Sequence, residues 1–157
     1  MERKRILFVC LGNICRSPLA EAIFKHKLKQ KGIEDQFEVD SCGTANYHIG
    51  DSPDSRSVAN ARKNGVTINH VGRQLTAGDL DYFDLILAMD KSNLANIFRL
   101  QSEEAHIAKI RLMREFDPHQ NGEEVPDPYY GGEQGFQQVF DILDRSAEAL
   151  IEKLIST

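Results

Sequence analysis

One segment near the start of the chain constrains the fold more than any other: an apolar strand that runs into a short turn and then a helix. After Arg5 the chain continues Ile-Leu-Phe-Val without alternation, which is typical of a strand buried on both faces of a parallel sheet. Residues 10–17, CLGNICRS, form the turn. Ser17 followed by Pro18 predicts a helix with Ser17 as its N-cap and Pro18 in its first position.

The rest of the chain continues this alternation of strands and helices. Further strands are predicted at 37–42, 84–89 and 107–113, and helices at 17–32, 52–65, 91–100 and 133–155, with a capped turn at Thr76. Segment 116–132 is rich in Pro, Gly, Asp and Asn and predicts a long loop. This order predicts an α/β fold with a doubly wound parallel sheet, whose ligand site lies beyond the carboxyl ends of the strands.

Length, charge and cysteine content exclude several other classes. A chain of 157 residues predicts one domain, 1–157. Its net charge of -5 argues against broad nucleic-acid binding, which needs a basic face. No apolar run is long enough to cross a bilayer, and the apolar stretch at the N-terminus is too short for a signal peptide. Three cysteines do not favour a secreted disulfide framework, so we expect a cytoplasmic protein without nucleic-acid or membrane partners.

The turn after the first strand has the residues of a phosphate-binding loop. Its successive N–H groups, together with those of the helix start, form a nest for an anion, and Arg16 can hold two phosphate oxygens at once. The same positive field favours the thiolate of Cys10, which is the form that attacks phosphorus. A buried structural cysteine with Ser17 only as a cap is the weaker interpretation at this spacing. The predicted phosphate-binding residues are Leu11, Gly12, Asn13, Ile14, Cys15, Arg16 and Ser17.

A second motif, VPDPYY at 125–130, supplies an acid and two aromatic rings. Hydrolysis of an aryl phosphate requires a proton for the leaving oxygen, and Asp127 lies between two prolines that stiffen its backbone. Tyr129 and Tyr130 follow directly, and two aromatic rings beside an acid predict a flat slot for a phenyl ring.

Together, CLGNICRSP and DPYYGG resemble the low-molecular-weight protein tyrosine phosphatases, and the resemblance covers essentially the whole chain. It implies a three-layer fold, with a four-stranded parallel sheet flanked by helices on both faces, and a phosphocysteine intermediate with no metal or cofactor. It also implies phosphotyrosine-containing proteins or peptides as substrates and inorganic phosphate as the product. Cys10 would be the nucleophile, Arg16 the phosphate clamp, and Asp127 the acid and then the base.

The resemblance assigns supporting roles as well. A network that holds the phosphate loop is implied for Asn13, Ser17, Ser41 and His70, and a substrate pocket for Ile14, Tyr47, Asp90, Tyr129 and Tyr130. For Asp90, capping of the following helix is an equal alternative. Cys15 is implied to protect Cys10 reversibly through a disulfide under peroxide, although a small buried side chain explains it equally well. Cys42 is interpreted as a core residue.

Three alternatives to a phosphotyrosine phosphatase remain. A thiol-type arsenate reductase needs further cysteines downstream, and none follows Cys42. A protein-arginine phosphatase on the same scaffold typically has threonine at the position of Ile14, where this chain has an apolar side chain that suits an aromatic ring. A non-catalytic phosphate-binding module would leave Cys10 and Asp127 unexplained. We therefore prefer phosphotyrosine, with arginine phosphate second.

Overall fold

A four-stranded parallel sheet organises the molecule. The computed structural model describes residues 2–100, 103–119, 123–128 and 131–156. Its strands are β1 (Lys4–Cys10), β2 (Phe37–Gly43), β3 (Leu85–Ala88) and β4 (Ile110–Leu112). Its helices are α1 (Arg16–Gln30), α2 (Ser55–Lys63), α3 (Ala77–Tyr82), α4 (Lys91–Arg99) and α5 (Gly132–Ile155). The strand order is β2-β1-β3-β4, and every pairing is parallel.

Strand β1 lies in the middle of the sheet and is buried on both faces. Leu7 and Phe8, which point to opposite faces, are both 0% exposed. This burial explains why the run after Arg5 lacks the polar alternation of a half-exposed strand. The α/β fold with a four-stranded parallel sheet is confirmed.

Helices cover both faces of the sheet and create two apolar layers. On one face Phe8 packs with residues of α1 and α5, where the rings of Phe8 and Phe24 have centroids 5.6 Å apart. On the other face Leu7 packs with residues of α3 and α4, including Leu80 and Ile97. The layers fix the carboxyl ends of β1 and β3 next to each other, and these ends carry the site.

Several predicted boundaries were wrong, for local reasons. Helix α1 begins at Arg16 with Cys15 in the cap position, so Ser17 is not the N-cap; its hydroxyl lies 3.0 Å from Cys10 Sγ instead. Helix α2 begins at Ser55, because the side chain of Asp54 accepts the cap hydrogen bond from the N–H of Arg56. Strand β4 has only three residues, since Glu104–Lys109 forms a 3-10 helix before it.

No helix in the described part of the chain is long and apolar enough to span a lipid bilayer.

Candidate active site

The loop between β1 and α1 surrounds a buried thiol. Cys10 is the last residue of β1 and is 3% exposed. Its Sγ lies 3.0 Å from Ser17 Oγ and accepts a hydrogen bond of 3.3 Å from the N–H of Asn13. Asn13 has a φ of 58°, the left-handed region that a tight anion-binding loop requires. The loop therefore directs donors toward the sulfur.

The side-chain amide of Asn13 binds within this loop and connects it to two other segments, β2 and residues 70–73. Its Nδ2 donates to Ser17 Oγ at 2.8 Å and to Ser41 Oγ at 3.1 Å. Its Oδ1 accepts from the N–H of Arg73 at 3.0 Å and lies 2.7 Å from His70 Nε2. These contacts hold Asn13 in its left-handed conformation, and they bring together all four predicted loop-support residues.

Glu21 belongs to the same network, although it was not predicted from the sequence. Its buried carboxylate accepts from Ser41 Oγ at 2.7 Å and lies 3.2 Å from His70 Nδ1. Burial raises the pKa of Glu21, but hydrogen bonds from His70, Lys25 and Ser41 outweigh it and hold the pKa below its usual value. The available signal was its position four residues after Ser17, on the same helix face.

Three side chains in and beside this network are of the types that bind metal ions. The ligand atoms of Glu21, Asp40 and His70 lie within 4.8 Å of one another, the spacing of a metal site. Arg73 Nε already pairs with Asp40 at 2.9 Å, and Lys25 pairs with Glu21. Both carboxylates of this group are thus already bound by basic side chains of the protein.

Arg16 connects the thiol loop to the ends of the neighbouring segments. The side chain is 5% exposed, and its Nη1 donates to Asp90 Oδ2 at 2.7 Å and to the carbonyl of Val125 at 3.0 Å. Burial lowers the pKa of Arg16, but the negative charge at Cys10 and the hydrogen bond to Asp90 raise it above its ordinary value, so the guanidinium is charged. Asp90 Oδ1 also accepts from the N–H of Asn93 and caps α4. The carboxylate of Asp90 therefore binds Arg16 through one oxygen and caps α4 through the other, so the two alternatives for this residue are compatible.

The segment that carries Asp127 is fixed to the end of β3. The N–H of Val125 donates to the carbonyl of Met89 at 2.8 Å, and Val125 is fully buried. Glu124 Oε2 accepts from the N–H of Lys91 at 2.7 Å. Asp127 lies two residues after Val125, between Pro126 and Pro128, and it lines the same cavity as Cys10. Tyr129 and Tyr130 lie outside the described residues.

A cavity of about 180 Å³ opens above the thiol. It is lined by Cys10, Leu11, Gly12, Ile14, Cys15, Arg16, Tyr47, His48 and Asp127. Asp90 lies behind Arg16 and is not part of this lining. His48 was not predicted, because nothing in its sequence neighbourhood apart from the adjacent Tyr47 indicates a site.

Tyr47 and His48 belong to a loop that is docked through its main chain. The N–H of Gly50 donates to the carbonyl of Gly72, and the N–H of Gly72 donates to the carbonyl of Asp51, both at 2.9 Å. A Cβ at Gly72 would lie 2.2 Å from the carbonyl oxygen of His48. Glycine at position 72 therefore permits the close approach that places residues 47–51 at the cavity.

All three cysteines are buried free thiols. Burial, with the nearby charges of Asp54, Cys10 and Asp127, raises the pKa of Cys15 to about 12, so this thiol keeps its proton at neutral pH. Burial also raises the pKa of Cys42 well above its usual value, and Cys42 packs in the core as expected.

A buried thiol under a loop of main-chain donors, with an arginine and a carboxyl at the same cavity, defines the class of cysteine-dependent phosphatases. Comparison with known proteins agrees. The model of the family "Low molecular weight phosphotyrosine protein phosphatase" matches residues 5–157. The chain is 43% identical over 153 residues to the low molecular weight phosphotyrosine protein phosphatase of Gallus gallus, covering 97% of this chain and 96% of the relative. The chain belongs to this family of cysteine-dependent phosphatases, as the resemblance predicted.

Two solved structures are also similar. A protein tyrosine phosphatase from Entamoeba histolytica, with Hepes in its active site, has a TM-score of 0.93 and 40% identity, covering 98% of this chain and 97% of that chain. The Drosophila arginine phosphatase DARP has a TM-score of 0.87 and 34% identity, covering 95% of this chain and 96% of that chain. The scaffold is thus shared by proteins named for two different phosphorylated side chains.

Proposed function

We propose that this protein hydrolyses phosphotyrosine in proteins and peptides, and small aryl phosphates, through a phosphocysteine intermediate. Membership of the phosphotyrosine phosphatase family supports the reaction. The observation that supports the assignment of nucleophile and acid is that Cys10 and Asp127 line the same cavity. Ser17 Oγ also lies 3.0 Å from Cys10 Sγ.

Substrate binding is assigned to the loop 11–17. The N–H groups of Leu11, Gly12, Asn13, Ile14, Cys15, Arg16 and Ser17, together with the start of α1, provide donors and positive potential for three phosphate oxygens. The charged guanidinium of Arg16 binds two of these oxygens and neutralises the phosphate. The cluster of Asn13, Ser17, Ser41 and His70 keeps the loop in this shape.

Two chemical steps follow. The sulfur of Cys10 attacks phosphorus, so that the S–P bond forms while the P–O bond to the phenol breaks, and Asp127 gives its proton to the leaving oxygen. Water then attacks the phosphocysteine while the carboxylate of Asp127 takes a proton from it. The S–P bond breaks, Ser17 stabilises the departing thiolate by a hydrogen bond, and inorganic phosphate is released.

The pocket for the aromatic ring is assigned to Ile14 and Tyr47, with Tyr129 and Tyr130 completing the wall. Tyr47 is 70% exposed, so a large hydrophobic face is available to a flat ring at the mouth of the cavity. We add His48, which lines the same cavity. Asp90 supports this pocket indirectly by holding Arg16.

Cys15 is assigned a protective role, as a disulfide partner for Cys10 under peroxide. Both residues line the cavity, which supports the pairing. Because Cys15 keeps its proton at neutral pH, peroxide would oxidise Cys10 first, to a sulfenic acid, as the O–O bond breaks. The sulfur of Cys15 would then attack this sulfur and give its proton to the departing hydroxyl, so that the S–S bond forms, the S–O bond breaks and water leaves. Such thiol chemistry fits the reducing environment of the cytoplasm.

The net charge of -5 fits a protein without nucleic-acid partners. Site residues drawn from most of the chain fit one catalytic domain, 1–157.

Arginine phosphate is the second candidate substrate, because the arginine phosphatase DARP shares this scaffold. Ile14 argues against it, since an apolar branched side chain makes no hydrogen bond to a guanidinium. The remaining alternatives, arsenate reduction and passive phosphate binding, are not supported by this chain's cysteines and family.

The deciding experiment measures phosphate release from a phosphotyrosyl and a phosphoarginyl peptide, with the Cys10→Ser variant as control. We expect the tyrosyl peptide to be preferred, and Cys10→Ser to bind phosphate without turnover. Preference for the arginyl peptide would retain the cysteine mechanism and overturn the substrate. Normal turnover by Cys10→Ser would refute the mechanism.

A further inference from the structure

A buried charged cluster, which no step of the proposed reaction uses, lies beneath the start of the segment that carries Asp127. It consists of Arg114, Asp117 and Arg145, and we call it the Asp117 cluster. Arg114 lies in the 3-10 helix after β4, and Arg145 lies in α5. The side chain of Asp117 is 0% exposed.

The carboxylate of Asp117 is bound on both oxygens. Arg114 Nε donates to its Oδ2 at 2.9 Å, and the N–H of His119 donates to its Oδ1 at 2.9 Å. Arg145 donates through Nε and Nη2, at 2.9 and 3.1 Å. Burial raises the pKa of Asp117, but these hydrogen bonds outweigh it and lower the pKa to about 2. A buried carboxylate with this many charged donors is a rigid anchor.

Arg114 extends from this anchor to the acid segment. Its Nε is bound to Asp117, and its Nη1 donates to the carbonyl of Glu124 at 2.8 Å. Because the guanidinium is planar and rigid, fixing one edge on Asp117 fixes the direction of the other edge toward Glu124.

The next residues transmit this position to the acid. The N–H of Val125 is bound to Met89, and its carbonyl accepts from Arg16, the proposed phosphate ligand. Only Pro126, whose ring fixes φ, separates Val125 from Asp127. A shift of the Glu124 carbonyl therefore moves Asp127 relative to the phosphate, and a misplacement of about 1 Å is enough to cost roughly 100-fold in rate.

We propose that Arg114 is a positioning residue for the general acid: anchored on Asp117 and Arg145, it holds Glu124 so that Asp127 reaches the leaving oxygen. This inference rests on the proposed function, because it requires Asp127 to protonate the leaving group. Arg114 is not among the residues that line the cavity.

The test uses aryl phosphates with a good leaving group, nitrophenol, and a poor one, phenol. We measure kcat/KM, which reports events up to cysteine phosphorylation, for the wild type, Arg114→Gln and Asp127→Ala. Arg111→Gln is the matched control, since Arg111 is a nearby, largely exposed arginine that pairs with Glu115. General acids contribute about 10²–10⁴ in rate, so we expect Arg114→Gln to lose roughly tenfold on phenyl phosphate and about twofold or less on nitrophenyl phosphate.

A double variant separates positioning from general loss of structure. In the Asp127→Ala background, Arg114→Gln should cause no further loss on phenyl phosphate, and the affinity for inorganic phosphate should stay at the wild-type value. Equal losses on both substrates, or a further loss in the double variant, would overturn the proposal. If Asp127→Ala itself affects both substrates equally, the acid assignment in the proposed function fails instead, and the positioning role fails with it.

Arg145→Gln provides a second variant if Arg114→Gln does not fold. The side chain of Arg145 is 28% exposed, and its removal leaves Arg114 bound to Asp117. We expect a loss in the same direction, about threefold on phenyl phosphate. An Arg145→Gln protein with the leaving-group dependence of Arg111→Gln would contradict the proposal.

Discussion

The position of Ser17 shows how one hydroxyl can serve two roles. It accepts from Asn13 Nδ2 at 2.8 Å, which ties it to the loop-support network, and it lies 3.0 Å from Cys10 Sγ. A sulfur that leaves phosphorus gains negative charge, and a fixed hydrogen-bond donor at this distance stabilises that charge. We therefore expect the hydroxyl to contribute most when phosphocysteine breaks down.

We predict that Ser17→Ala slows phosphocysteine hydrolysis by roughly 10- to 100-fold. Rapid mixing with nitrophenyl phosphate should then show a larger burst of nitrophenol followed by a slower steady state, because the intermediate accumulates. Ser57→Ala is the control, since Ser57 is a buried hydroxyl without a hydrogen bond to any described residue. A variant that loses burst and steady-state rates equally would contradict this role.

We expect Ile14, which lines the cavity, to determine the selectivity between phosphotyrosine and phosphoarginine. We predict that Ile14→Thr raises the ratio of phosphoarginyl to phosphotyrosyl kcat/KM by about tenfold, because a hydroxyl in place of an apolar branch can bind a guanidinium. Ile14→Val keeps the pocket apolar and should leave the ratio unchanged. If both variants give the wild-type ratio, Ile14 does not determine selectivity.

The close approach of the loop at Gly72 to the loop that contains Tyr47 and His48 requires glycine at position 72. We predict that Gly72→Ala lowers kcat/KM for a phosphotyrosyl peptide by roughly tenfold, since its Cβ would displace His48 and Tyr47 from the cavity. The affinity for inorganic phosphate should change less, because Asn13 is also bound to Ser17 and Ser41, which lie outside the displaced segment.

Gly78→Ala is the control for this substitution. Gly78 lies in α3, where a Cβ would meet nothing closer than 3.7 Å, so alanine should be neutral or slightly stabilising. Unchanged peptide kinetics in Gly72→Ala would show that the loop adapts without moving the wall.

The elements predicted from sequence were those with a strong local pattern. The apolar run of β1 and the helical spacing of α5 lie within one residue of their predicted bounds, and Thr76 caps α3 as expected. The predicted start of α1 was wrong, because the helix begins at Arg16 and the Ser17 hydroxyl contacts the thiol of Cys10 and does not cap the helix. Tertiary contacts override cap preference in such cases.

The site was predictable where its residues are close in sequence. Cys10, Arg16 and Ser17 lie on one strand–loop–helix unit, so the motif contains their geometry. Glu21 and His48 could not be predicted with equal ease, because their contacts come from segments that only folding brings together. Arg114 belongs to no recognisable sequence motif. Its proposed positioning role depends on a hydrogen bond to the main-chain carbonyl of Glu124, and any residue type at position 124 would supply that carbonyl.

The Asp117 cluster links α5 to the segment that follows the edge strand β4. This cluster also makes the free energy of unfolding depend on pH. The folded-state pKa of Asp117 is about 2, below the value of about 3.9 of an unfolded aspartate. A depressed folded-state pKa stabilises the protein above about pH 4, and this stabilisation is lost as the pH falls toward about 2.

We predict that the free energy of unfolding of wild type exceeds that of Asp117→Asn by about 2 kcal/mol more at pH 6 than at pH 2. Urea unfolding at a series of pH values measures this difference. Arg145→Gln, which removes two of the hydrogen bonds that lower the pKa, should show a smaller pH dependence than wild type. A difference between wild type and Asp117→Asn that is constant with pH would refute the prediction.

The bond between Arg16 and the carbonyl of Val125 joins an early part of the chain to a late one. During synthesis, the strand, loop and helix that hold the thiol emerge first, when their partner in this bond has not yet been translated. Under the proposed mechanism, a nascent chain at this stage has the nucleophile but lacks the general acid. Under the proposed mechanism, the acid is the last of the catalytic residues to be translated, so an unfinished chain that lacks it should act only slowly on the phosphoproteins around it.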